Sequence, residues 1–113
     1  MTETENSEYV TIYSTVENED AAVHMATSLV RDKLIACANL KSGMRSIYEV
    51  DGIIQFESEV MLIMKSQRIL VDKVIERIKE MHSYQTPCIT VWPIIDGNVD
   101  YLSWIKHQTI NTH

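Results

Sequence analysis

Two apolar, β-prone runs meet at Asp51-Gly52 in the stretch from Ile35 to Lys65, and no other feature constrains the fold as tightly. Asp-Gly suits a two-residue primed turn, which needs φ > 0 at both central positions. After the turn, Ile54, Phe56, Val60, Leu62 and Met64 fall on one face. Gln55, Glu57 and Glu59 fall on the other, the period of a half-buried strand. Met61 and Ile63 then make the end of that strand apolar on both faces. A strand of about 12 residues spans roughly 40 Å. A domain of this length has a radius of gyration near ~13 Å. The hairpin is therefore expected to reach or pass the edge of its own domain, where free strand edges invite a second chain. The alternative is a bent hairpin kept within the monomer, with Gly43 supplying a bulge.

The flanking segments complete an order. Residues 1–8 are expected to be a polar tail, and 9–113 a single domain. Tyr9 to Thr15 alternates as a first strand. Asn18 is a candidate N-cap before Glu19 and Asp20, and Ala22, Ala26, Leu29 and Val30 follow at helical spacing. A second helical stripe runs through Val71, Val74, Ile75, Ile78 and Met81. Pro87 closes that segment, and Cys88 to Ile95 reads as a fourth strand with Pro93 at an edge or bulge. Asp96-Gly97-Asn98 is a turn, with Asn98 capping a short last helix through Tyr101, Leu102, Trp104 and Ile105. Strand, helix, strand, strand, helix, strand, helix predicts an α+β fold. It is a ferredoxin-like split βαβ sandwich with a long β-hairpin and an extra C-terminal helix. The sheet face away from the two helices needs cover from a partner chain or from that last helix.

Composition narrows the function. A net charge of −6 over 113 residues argues against binding a phosphate backbone, so no nucleic-acid partner is expected. No apolar run approaches the ~20 residues of a membrane span, so no membrane partner is expected either. The acidic first residues are unlike a secretory signal, and a cytoplasmic protein is the expectation. Cys37 and Cys88 form no Cys-x-x-Cys pair. Neither a phosphate loop nor a nucleophile–base signature is legible, and no enzyme is expected. His24 reads as a surface residue, while His107 and His113 lie in a terminal segment. His82, with Tyr84 beside it at a helix end, stands out as a metal-ligand candidate. Its alternative role is to satisfy helix carbonyls as a C-terminal cation.

Several blocks resemble the CutA divalent-cation tolerance proteins. They are Leu34-Ile35-Ala36-Cys37-Ala38-Asn39, Ser46-Ile47-Tyr48-Glu49, Ser58-Glu59-Val60, His82-Ser83-Tyr84-Gln85-Thr86-Pro87 and Asp100-Tyr101-Leu102-Ser103-Trp104. The resemblance runs from about Tyr9 to Trp104. It implies a homotrimer joined by its hairpins and a role linked to divalent metals, copper above all. No firm resident cofactor is implied beyond copper or another divalent metal. His-Pro-Tyr of the family is His82-Ser83-Tyr84 here, and Cys88 stands where an acidic residue is usual. Some bacterial members carry a Cys in the first strand and a second His before the His-Pro-Tyr, which look like copper ligands. This chain has Ser14 and Met81 there. Copper(I) accepts thioether and thiolate, so Met81 and Cys88 are candidate replacements; the alternative is a weakened or lost copper site. A second reading is a small-molecule sensor similar to the trimeric PII signalling proteins. Tyr48, Glu59, Lys65, Tyr84 and Cys88 would then line a cleft between subunits.

Overall fold

The computed structural model describes residues 7–110, and the outer part of the expected tail, 1–6, lies outside them, as does His113. Four strands form one antiparallel sheet in the order β2-β3-β1-β4. They are β1 (Tyr9–Val16), β2 (Cys37–Val50), β3 (Ile53–Gln67) and β4 (Ile89–Ile94). Helices α1 (Glu19–Arg31) and α2 (Val71–Met81) cross between them, and α3 (Val99–Gln108) follows β4. This is the split βαβ arrangement that the element order predicts. Asn18 caps α1 by accepting the Ala21 N–H at 2.8 Å, and Asn98 caps α3 by accepting the Asp100 N–H at 2.9 Å. Both are side-chain N-caps followed by acidic residues in the first turn, where the helix dipole favours negative charge.

The core lies between α1, α2 and one face of the sheet. Val10, Ile12 and Val16 of β1 and Val60, Leu62 and Met64 of β3 meet Met25 and Leu29 of α1 and Val74 and Ile78 of α2. Arg77 ties the two helices at their surface, reaching Asp32 at 2.8 Å and Ser28 at 2.9 Å. Glu8 is tied at two points: its carbonyl accepts the Arg68 N–H at 2.8 Å and its carboxylate lies 3.4 Å from Lys106.

The opposite face is covered only at one end. Cys37 Sγ lies 3.4 Å from the Tyr101 hydroxyl, and Gln67 donates to Thr109 Oγ1 at 2.7 Å. Cys37 and Gln67 belong to that face, so α3 sits over the Cys37–Gln67 end, with Ile105 fully buried. The rest stays open, and Tyr13 stacks on Trp92 there at 5.4 Å between centroids.

The hairpin carries both features that the sequence suggests. Asp51 and Gly52 have φ of 50° and 79°, as a primed turn requires. Gly43, at φ 85°, sits in a register shift between Lys41 and Met44. The bulge does not fold the hairpin back. Pairing between β1 and β3 ends at Val16↔Val60, so β3 before Val60 pairs with β2 alone. That projecting part, the arm, gives extents of 44 × 31 × 24 Å and a radius of gyration of 14.9 Å. A domain of this length normally has a value near ~13 Å. Ile47 and Phe56 on the arm are 65% and 62% exposed. Among the described residues no helix is long and apolar enough to cross a membrane.

Candidate functional site

Where the arm leaves the sheet, a pocket of about 370 Å³ opens between Thr15, Tyr48, Glu59, Tyr84, Thr86 and Cys88. Each wall has a local cause. Thr15 follows Ser14 on β1, so the two side chains face opposite ways: Ser14 is fully buried on the helix side and Thr15 turns to the pocket. Glu59 is the first β3 residue beyond the last β1 partner, and so looks into the gap that β1 leaves. Tyr48 comes from β2 on the arm. The segment from His82 to Cys88 supplies Tyr84, Thr86 and Cys88. Ser14 Oγ fastens its end by donating to the Cys88 carbonyl at 2.7 Å.

His82 fastens its beginning. Its backbone N–H continues the α2 ladder to Ile78 O at 2.9 Å. His82 is 9% exposed, and its ring donates from Nε2 to Thr15 O at 2.7 Å. Nδ1 accepts the Tyr84 N–H at 3.1 Å. A carbonyl on one nitrogen and an N–H on the other fix the Nε2–H tautomer. Both ring nitrogens are thus engaged within the chain, and the helix-capping alternative is replaced by a bond to β1. The same two contacts hold Tyr84 against its neighbour, with ring centroids of His82 and Tyr84 4.6 Å apart.

Tyr84 in turn donates its hydroxyl to Glu59 Oε2 at 2.9 Å. Glu59 is only 7% exposed. The field in the pocket is negative. Burial first, then the Glu59 hydrogen bond and charge, push the Tyr84 phenol far above its ordinary range. Burial and the Glu59 charge push the Cys88 thiol up. Burial raises Tyr48 as well, with Glu57 next in effect. Glu17 is held below the usual carboxylate range, chiefly by the Ser83 hydrogen bond.

Of the residues expected in a cleft, Tyr48, Glu59, Tyr84 and Cys88 come together. Lys65 does not: it pairs with Thr11 and Cys37, at the end of the sheet away from the arm. Met81 packs against the core and Ser14 faces it, so of Ser14, Met81 and Cys88 only Cys88 lines the pocket. Thr15 and Thr86 were not foreseen. Thr15 could have been found from its alternation with Ser14; Thr86 had no signal beyond its place before Pro87. Among the described residues no three His, Cys, Asp or Glu side chains gather as a metal ligand set.

The CutA1 divalent ion tolerance protein family model matches residues 10–108. The chain belongs to that family. The chain is 37% identical over 102 residues to chloroplastic protein CutA of Arabidopsis thaliana, covering 90% of this chain. It spans 56% of that relative's length. The crystal structure of CutA1 from Oryza sativa superposes with a TM-score of 0.91 at 34% identity, covering 98% of this chain and 100% of that one. The CutA from Archaeoglobus fulgidus, described as periplasmic, gives 0.86 at 33% identity, covering 88% and 97%. These relatives correct the expectation of a cytoplasmic protein. One is chloroplastic and another periplasmic, so the CutA fold carries no single compartment. The physical reason is that address segments are read by transport machinery and stand apart from the folded core.

Proposed function

We propose that this chain serves divalent-cation tolerance as a homotrimer joined through its arms, and that it takes a cation in the pocket at the arm's base. The observation that carries the reading is Glu59. The residue is 7% exposed, its Oε2 accepts the Tyr84 phenol, and no described residue forms an ion pair with it. A carboxylate drawn out of water without a counter-charge is costly, and a cation relieves that cost. Copper is the favoured metal, since Cys88 adds a soft donor beside the carboxylate. Two donors are too few for a complete copper site, so this reading requires further ligands from a second copy. The trimer is supported by the apolar, unpaired arm, with Ile47, Ile53, Ile54 and Phe56 more than half exposed. His82 holds the pocket wall in this reading. It becomes a metal ligand only by giving up the Thr15 or Tyr84 contact.

The test is a copper titration by calorimetry, with light scattering on the same samples. The expected mass is about three times the 13.0 kDa chain. Glu59→Gln and Cys88→Ser should each weaken copper binding, and magnesium and calcium should bind less tightly than copper. A monomer at micromolar concentration ends the trimer reading. Unchanged copper affinity in both variants moves the metal to the surface histidines His24 and His107. A PII-like small-molecule cleft is the second reading, favoured by a volume of about 370 Å³ and two tyrosine walls.

A further inference from the structure

Three features of the pocket in a single chain suit a cation larger than a bare metal ion. Its volume of about 370 Å³ falls in the range of small-molecule sites, roughly 300–1,000 Å³. One chain brings it a single carboxylate and a single thiol, the latter pushed toward the protonated form by burial and by Glu59. Its remaining lining is two phenol rings and two threonines. Those groups do suit a cation that carries its own carbon and its own N–H donors.

The charges around the pocket point the same way. Glu57 and Glu59 both act on Tyr48 and Tyr84, and Glu17 also acts on Tyr84. The basic residue nearest by register on this face is Lys41, opposite Met61, and it forms no ion pair with Glu59. Tyr84 hydrogen-bonds the carboxylate but leaves its charge intact, because a phenol donor carries none.

We propose that the pocket takes a small organic ammonium cation, its charged nitrogen on Glu59 and its carbon chain between the Tyr48 and Tyr84 rings. The ammonium supplies three donors, one for the carboxylate and the others for the Thr15 and Thr86 oxygens. The tyrosine faces attract the cation by their quadrupoles and shield its methylenes from water. No metal is needed. This inference rests on the cation reading of the pocket and changes the class of cation.

The probe is n-butylammonium, with n-butanol as the uncharged control, titrated into the full chain in chelator-treated buffer. Calorimetry gives affinity and ring-proton NMR shifts give location. Saturable butylammonium binding is expected, with shifts at Tyr48 and Tyr84, and butanol should not saturate. Glu59→Gln should weaken it roughly tenfold or more, because the charge-assisted contact is lost. If Glu59→Gln fails to fold, Tyr48→Leu replaces it and should weaken binding about threefold to thirtyfold. Lys73→Ala, on the far side of the molecule in α2, should bind as the unaltered chain does. Absence of saturable butylammonium binding overturns the inference, as does equal affinity in the pocket variants or equal binding of butanol. Copper titrated into the same samples separates the two readings. Copper binding without butylammonium binding leaves the metal reading standing and ends this one; the reverse result supports this one against it.

Discussion

His82 and Tyr84 illustrate how a residue that looks like a ligand can be spent on geometry. The imidazole bridges β1 and the segment after α2, and the phenol that it positions meets Glu59. Tyr84→Phe would remove the hydroxyl and leave that buried carboxylate oxygen without a donor. A loss of about 1–3 kcal/mol is expected, read as a lower urea midpoint at unchanged slope. Glu59→Gln should cost less, since an amide oxygen still accepts from Tyr84 and no charge remains buried. Cys88 offers a second test. Its thiol is pushed up by burial and by the Glu59 charge, so less thiolate exists at neutral pH than in a free cysteine. Iodoacetamide should therefore label Cys88 slowly near pH 7, with a rate rising to a midpoint above that of a cysteine peptide. Glu59→Gln should move that midpoint down. A midpoint at or below the peptide's would contradict the placement of Cys88 beside Glu59.

Among the elements, the arm is the least supported by its own chain. Beyond Val60 it has only the β2–β3 ladder, and its side chains on both faces meet solvent in the single chain. Its turn depends on backbone conformation alone. Nothing lies within 4 Å of a Cβ built on Gly52, yet φ is 79°. Gly52→Ala should then cost about 1–2 kcal/mol through left-handed strain and not through a clash. Gly52→Asn should recover part of that loss, because Asn tolerates this region. Hydrogen exchange at the arm's tip amides would report both. α1 provides the contrast, being held by a side-chain cap at one end and by core packing along its length. Asn18→Ala should cost about 1 kcal/mol, and Asn18→Ser or Asn18→Asp very little.

At the scale of the whole molecule, elongation and exposed apolar surface go together. If the arms join three copies, unfolding and association become one equilibrium, and the thermal midpoint should rise with protein concentration. Alkaline pH gives an independent handle. Tyr84 is raised far above 10.0, chiefly by burial, and Tyr101 is raised to about 12, chiefly by its contact with Cys37. For both, the neutral phenol is favoured in the folded state and the unfolded phenol ionises first. Their contribution is complete below about pH 10 and is lost as pH climbs through the folded values. Melting temperature should thus fall above pH 10, and Tyr84→Phe should flatten that fall. Ultraviolet titration should show Tyr84 and Tyr101 ionising latest, with Tyr13 and Tyr48 also raised by burial.

Local rules were enough for most of the scaffold. Asp51-Gly52 admits one kind of turn, Asn18 and Asn98 are placed to cap, and alternation along β3 sorts Val60, Leu62 and Met64 from Glu57 and Glu59. Each of these depends on neighbours within a few residues, so the order of letters carries it. The shared blocks also carry family membership, which the match over 10–108 bears out. The site was legible only in part. Tyr48, Glu59, Tyr84 and Cys88 were candidates, but nothing local says that β1 stops at Val16 and leaves Glu59 facing a gap. Nor does spacing reveal that His82 reaches across to Thr15, 67 residues earlier, or that Lys65 ends at the opposite end of the sheet. Those outcomes depend on where one strand ends against another and on which backbone groups are left without partners. Such choices are made only when the sheet and helices close on each other.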